Sequence, residues 1–231
     1  LLVVKVVLFC GGQGLRIRDL APDIPKPMIQ IGGLPILVHI MKYYAHFGHT
    51  DFILCLGYKG QIIKDFFLSC LDESVQQWNI TFVNTGLDSS IGERLRAVES
   101  FVAPDRMFLA NYADVLTDAP LPRMIDRLFD SGKIASCLCV QPRYSFHIVS
   151  IGEDAAVTEL RSVQQSDLWI NGGYFVFRRD IFAYLRPGED LVEEPFRRLI
   201  RANALLGYRH GGFWAPMDTF KEWQSIQIRF T

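Results

Sequence analysis

The sequence lacks an excess of either charge: 24 Lys and Arg stand against 25 Asp and Glu in 231 residues. That balance withholds the basic footprint on which nucleic-acid binding rests, so no nucleic-acid partner is expected. No apolar run approaches the ~20 residues of a membrane-spanning helix, so no membrane partner is expected either. Leu1 to Phe9 is apolar but interrupted by Lys5, and without a charged lead or cleavage site it reads as a strand, not a signal peptide. The five cysteines (Cys10, Cys55, Cys70, Cys137, Cys139) include no C-x-x-C pair. Most lie in apolar runs and read as small core hydrophobes in a reducing compartment, which makes the cytoplasm the expected location. The G-x-G-x-x-G turn of dinucleotide enzymes and the G-x-x-x-x-G-K-[ST] P-loop are both absent, and with the first goes a dinucleotide-dependent oxidoreductase. His39, His46 and His49 have no acidic residue among them and form no metal-ligand set. Repeats, low-complexity tracts and linkers are missing too, so 1–231 reads as a single domain.

What is present begins at the N-terminus. The β-branched run Val3 to Phe9 ends abruptly in Cys10-Gly11-Gly12-Gln13-Gly14-Leu15-Arg16, the pattern of a buried parallel strand feeding a loop. Glycines there let backbone approach a ligand, and successive N–H groups can turn inward around phosphate oxygens. Arg16 and Lys26 supply cationic charge, and Pro25 and Pro27 fix the direction in which Lys26 is presented. Strands follow at 51–57, 80–83 and 107–110, separated by helical segments at 36–46, 62–70 and from 91 onward. This β-α rhythm predicts a parallel sheet with helices on both faces. Ligands of such sheets bind at the carboxyl ends of the strands, the edge that carries the Gly-rich loop, Gly57-Tyr58-Lys59-Gly60, the Thr85–Ser90 loop and Asp114. The second half is less regular. A helix at 122–129 and a strand at 134–141 precede short alternating segments at 148–150 and 157–160, as in a mixed sheet or meander. Trp169 to Phe177 is a further strand, and a helix at 193–204 carries Arg197, Arg198 and Arg201 on what reads as a solvated face.

These residues resemble a known family. Gly11-Gly12-Gln13-Gly14-x-Arg16, Pro25-Lys26-Pro27-Met28, Gly57-Tyr58-Lys59-Gly60, Tyr112-Ala113-Asp114, Ile170-Asn171-Gly172-Gly173 and Phe213-Trp214-x-Pro216-Met217-Asp218-Thr219 are similar to the motifs of sugar-nucleotide pyrophosphorylases, most of all the glucose-1-phosphate cytidylyltransferases. The resemblance runs nearly end to end. It implies an α/β fold with a Rossmann-like mixed, mostly parallel sheet of the nucleotide-diphospho-sugar transferase type and a small inserted β region. It also implies a Mg²⁺-dependent nucleotidyltransferase that makes an NDP-sugar and pyrophosphate from a nucleoside triphosphate, CTP by this likeness, and a sugar 1-phosphate. A homo-oligomer is implied as well. By the same resemblance Asp114 and Asp218 would hold the metal, and Arg16 and Lys26 would grip the triphosphate, with Arg16, Lys26 and Asp114 as the catalytic set. Gly11, Gly12 and Gly14 would approach base and ribose. Arg94 would serve the nucleotide and, with Asn171 and Gly172, reach toward the second substrate.

The chain differs from the family pattern at several points. Leu15 replaces a threonine, Ile91-Gly92-Glu93-Arg94 replaces Thr-Gly-Gly-Arg and sets a carboxylate beside the polyanion site, and Val115 replaces a glycine. The lysine of a Glu-Lys-Pro element is missing, since no lysine occurs between Lys133 and Lys221. Two readings follow. In one the acceptor differs from glucose 1-phosphate and Arg161 or Arg143 provides the charge. In the other the chain has lost turnover and acts as a nucleotide-sugar-binding or partner subunit.

Overall fold

A computed structural model describes residues 3–20, 22–143 and 146–230; Leu1, Leu2, Ala21, Tyr144, Ser145 and Thr231 lie outside the described residues. Strand β1 (Val6–Phe9) is buried along its whole length, as a β-branched run between two helical layers must be. After the Gly-rich loop and a short turn at Lys26–Met28, β2 (Gln30–Ile31) and β3 (Leu34–Pro35) form a tight antiparallel pair that delivers the chain into α1 (Ile36–His46). Then come β4 (Asp51–Leu56), α2 (Gly60–Ser69), α3 (Glu73–Gln76), β5 (Asn79–Asn84), α4 (Ile91–Ala97), α5 (Glu99–Val102) and β6 (Met107–Tyr112). Beyond β6 lie the short β7 (Val115–Thr117) and α6 (Leu121–Ser131), the latter opened by Pro122 and stopped by Gly132 in a left-handed conformation. Strand β8 (Ala135–Val140) is followed by β9 (His147–Ile151) and β10 (Val157–Ser162), then β11 (Ile170–Arg178), α7 (Glu194–Arg201), β12 (Leu205–His210), β13 (Trp214–Pro216) and α8 (Phe220–Phe230).

Seven strands form one sheet in the order β12-β8-β11-β6-β1-β4-β5. β1 pairs in parallel with both β4 and β6, and β8 in parallel with β12, while β11 runs against its neighbours β6 and β8. The expected mixed, mostly parallel sheet is therefore what the chain forms. Alternation along β1 splits the interior in two: Val6 and Leu8 join the core under α1, α2, α6 and α8, and Val7 and Phe9 join the core under α4, α5 and α7. Helices on both faces follow from that pattern.

The inserted β region is the β9–β10 hairpin, an antiparallel pair outside the main sheet. β7 and β13 make a second separate ribbon. Strand β12, a stretch to which the sequence pattern assigns no element, extends the sheet as an edge strand beside β8. One reading of the sequence needs correction. Arg198 is not part of a solvated face: its guanidinium engages both carboxylate oxygens of Glu189 and the Tyr184 carbonyl, clamping α7 to the preceding loop. Among the described residues no helix is long and apolar enough to cross a membrane.

Candidate active site

The chain runs from β1 outward through β4 to β5, then returns to β6 on the other side of β1. Loops leaving β1 and β6 consequently diverge, and the crevice they leave at the carboxyl edge is where such sheets bind ligands. A cavity of about 640 Å³ occupies that crevice, lined by Gly12, Gln13, Gly14 and Arg16 from the first loop, Lys26, Tyr112 and Asp114 after β6, and Asp218.

Three charged side chains meet at its floor. Lys26 Nζ donates to Asp114 Oδ2 at 2.6 Å and to Asp218 Oδ1 at 2.6 Å. Arg16 donates to the same Asp218 Oδ1 at 3.1 Å, but its side chain is 74% exposed and spans the mouth of the cavity. The Lys26 side chain is 10% exposed. Burial acts to lower its pKa, but the charges and hydrogen bonds of Asp114 and Asp218 outweigh it and hold the ammonium above its ordinary value.

Each member is placed by local backbone chemistry. Gly14 has φ +59, and a Cβ there would stand 2.9 Å from Lys26 Cβ, so a glycine is what lets the lysine stem pass beneath the loop. Asp114 and Asp218 extend from adjacent ends of the β7–β13 ribbon, and the Met217 N–H donates to Asp114 O at 2.9 Å. Asp218 is held further by the start of α8. Thr219 Oγ1 accepts from the Glu222 N–H at 3.3 Å, while Glu222 Oε2 accepts from the N–H groups of Thr219 and Asp218 at 2.8 and 2.9 Å. That is a capping box, and Thr219-x-x-Glu222 was its signal in the sequence.

Arg94 departs from expectation. It is 2% exposed and lines no part of the cavity. Its guanidinium donates to the carbonyls of Gly11 and Leu87 at 3.1 Å each, to Gly86 O at 2.8 Å and to Thr85 Oγ1 at 2.7 Å. It ties the loops after β1 and β5 together from beneath, so it is a positioning residue and not a substrate contact. Gly11 belongs to this brace as well: a Cβ there would lie 2.0 Å from Arg94 Nη1. Glu93 also faces away from the cavity, since Ser90 N–H donates to its Oε2 at 2.8 Å and its own N–H returns to Ser90 Oγ at 3.2 Å. The carboxylate expected beside the polyanion site is instead a helix cap.

The remaining candidates sit farther along the edge. Asn171 Nδ2 donates to the Tyr112 hydroxyl at 3.4 Å and reaches the cavity only through that ring, whose phenol burial keeps protonated by raising its pKa. Buried Gly172 accepts from Trp214 Nε1 at 2.9 Å. Arg161 lies exposed on β10 and lines no part of the cavity. Tyr112 and Gln13, quoted within the motifs but given no role from the sequence, also line the cavity. Cys10, Cys55 and Cys137 are buried, and burial pushes the Cys10 and Cys55 thiols up, as inert core groups; Cys70 and Cys139 are only half-buried.

A Gly-rich loop, two acidic loops and a lysine between them at a sheet's switch point define a phosphate-handling enzyme, and the sequence profile of one family fits it. The profile described as "Nucleotidyl transferase" matches residues 5–219, and the chain belongs to that family. It is 36% identical to the probable glucose-1-phosphate cytidylyltransferase of Bacillus subtilis (strain 168), over 94% of this chain and 92% of that one. It is 34% identical to the glucose-1-phosphate cytidylyltransferase of Salmonella typhimurium, over 95% and 93%. The fold matches HddC from Yersinia pseudotuberculosis with a TM-score of 0.76 at 18% identity, covering 99% of this chain and 100% of that one. The UTP-bound UGPase from Acinetobacter baumannii matches with 0.78 at 17% identity, covering 99% and 93%.

Proposed function

We propose that the chain transfers a cytidylyl group from CTP to a sugar 1-phosphate in a Mg²⁺-dependent reaction, giving a CDP-sugar and pyrophosphate. The observation that carries this is the convergence of Asp114 and Asp218 on one point, 2.6 Å from Lys26 Nζ in each case, at the foot of a Gly-rich loop. The 34–36% identity to cytidylyltransferases supports CTP as donor.

The donor set suits magnesium. Two hard carboxylate oxygens already surround a cation, the lysine ammonium. Among the described residues no group of three or more His, Cys, Asp or Glu converges, so substrate phosphates and water would complete the shell, as Mg²⁺ sites with one or two carboxylates commonly arrange. When bound by Asp114 and Asp218, magnesium would offset the charge of the phosphates. Lys26, beside both carboxylates, and Arg16, at the mouth, would hold the triphosphate. An oxygen of the acceptor phosphate, already ionised, forms the new bond to the α-phosphorus. The bond from that phosphorus to the β-phosphate bridge breaks, and its electrons leave with pyrophosphate. No general base is required, so in-line positioning and charge stabilisation make up the catalysis. The free thiols suit a reducing cytoplasm.

Pyrophosphate release is the test, with CTP, UTP, dTTP, ATP and GTP set against a panel of sugar 1-phosphates, with and without a chelator. Release with CTP that stops on chelation and returns with Mg²⁺ is expected. Asp114→Asn should lower kcat by roughly 100-fold or more while the melting curve stays in place. Turnover unaffected by that change would remove Asp114 from the site.

A further inference from the structure

The carboxyl edge does not end at the cavity between β1 and β6. From β6 the sheet continues through β11 to β8 and β12. At a strand spacing of about 4.8 Å, the tip of β8 lies roughly 10 Å beyond that of β6. A second cavity of about 210 Å³ opens there, with Gln141, Arg143, Gln164, His210 and Trp214 in its walls. The turn at Asn171–Gly173 lies between the two: Asn171 Nδ2 donates to the Tyr112 hydroxyl of the first cavity, and Gly172 O accepts from Trp214 Nε1 of the second. Trp214 also begins β13, the strand that leads to Asp218. An acceptor whose phosphate meets Asp114 and Asp218 would therefore pass over the turn at Asn171–Gly173 and direct its far end here.

Charge distinguishes this second cavity. Arg143 is the only permanently charged side chain lining it among the described residues. One of its N–H groups donates to Gly212 O at 2.6 Å, which steadies the guanidinium while leaving donors over. Asp118, just past β7, is already engaged, since its Oδ1 meets His210 Nε2 and the Phe213 N–H at 2.7 Å each. Among the described residues no carboxylate pairs with the exposed Arg143 guanidinium, so its remaining donors are suited to an anion, and its planar fork matches a carboxylate or phosphate. Arg161, by contrast, pairs across the β9–β10 hairpin with Ile148 and lines neither cavity.

We propose that the second cavity takes the far end of the acceptor, and that Arg143 selects a sugar 1-phosphate bearing a second anionic group at that end, a carboxylate or a phosphate. This rests on the nucleotidyl-transfer reading and adds the acceptor's class to it.

The test compares pyrophosphate release by the full chain with Mg²⁺ and CTP for glucose 1-phosphate, glucuronic acid 1-phosphate and glucose 1,6-bisphosphate. One of the doubly anionic acceptors should show a kcat/KM roughly ten-fold or more above glucose 1-phosphate, the difference lying in KM, as loss of one charge-assisted hydrogen bond would give. Arg143→Gln keeps an N–H for Gly212 O and removes the charge, so it should bring that ratio near one; Arg143→Lys should retain part of it. Melting curves establish that the variants fold, and the ratio in the unaltered chain decides the matter should Arg143→Gln fail to. Equal kcat/KM for all three acceptors overturns the assignment. So does a preference that survives Arg143→Gln, or one that disappears in Arg161→Gln instead. Absence of release with every acceptor overturns the transfer reading itself, and the acceptor assignment with it.

Discussion

Lys26 holds apart two aspartates that would otherwise repel each other, and it does so from a stem fixed between Pro25 and Pro27 and covered by Gly14. Its pKa is raised, so its contribution to stability is fully present below the unfolded lysine value and is lost as pH climbs through the higher folded value. Lys26→Met leaves Asp114 and Asp218 facing each other without a cation. Both are about a quarter exposed, at 27% and 25%, so water screens part of the repulsion. A loss of about 1–3 kcal/mol at pH 7 is expected in urea unfolding, below that of a fully buried pair. The difference from the unaltered chain should shrink at high salt, which screens partly exposed charges. A deficit equal at low and high salt would show that the ion pairs are not its source. The charges themselves were legible at this scale: Arg16, Lys26, Asp114 and Asp218 were all named from the sequence and all meet. What Arg94 and Glu93 do was not legible, since a charged residue beside a Gly-rich region serves a ligand or the backbone equally well until its burial is known.

At the scale of elements, the site is three loops and a ribbon held in register by a helix. Arg94, near the middle of α4, reaches the loops after β1 and β5 through several N–H groups at once. A lysine has its donors on a single atom and cannot span those acceptors. Arg94→Lys should therefore cost about 2–4 kcal/mol, measured by urea unfolding, with nucleotide affinity falling as the Gly11 backbone loosens. Full stability with selective loss of acceptor turnover would restore the earlier reading of Arg94 as a substrate contact. The start of α4 was readable, because a polar loop ending in Ser90 gives way there to a helical run, while the end of α6 at Gly132 was missed by two residues. Short strands such as β7 and β13 were not readable, because a few residues carry no period of their own and become strands only against a partner.

Over the whole molecule, two cores share one sheet, and the proposed nucleotide site lies where the strand order reverses between β1 and β6. Ligand binding to that crevice joins loops from both halves of the chain, so it should be felt as global stability. Mg²⁺ with CTP at about 100 times its Kd should add roughly 2.7 kcal/mol, a rise in Tm of about 5–10 °C for a chain of this size. UTP and the purine nucleotides should give smaller shifts. Equal shifts for every nucleotide would mean that the site grips phosphates without reading the base, and CTP preference would fall.

The sequence by itself determined the fold class, the position of the Gly-rich loop at the end of β1, and the identity of the four charged residues at the site. These follow from short-range chemistry: β-branched runs bounded by glycine, prolines around a lysine, and aspartates just past apolar strands. Only the tertiary structure decided which charged groups face the crevice and which brace it. Asp114 and Asp218 become neighbours because β7 pairs with β13 across a long stretch of chain. Arg94 is turned inward because loops from β1 and β5 close over it. Arg143, and not Arg161, lines the second cavity because β8 pairs with β12 in the main sheet while β10 leaves it for a hairpin. Such pairings are set by contacts far apart in sequence, which no local pattern encodes.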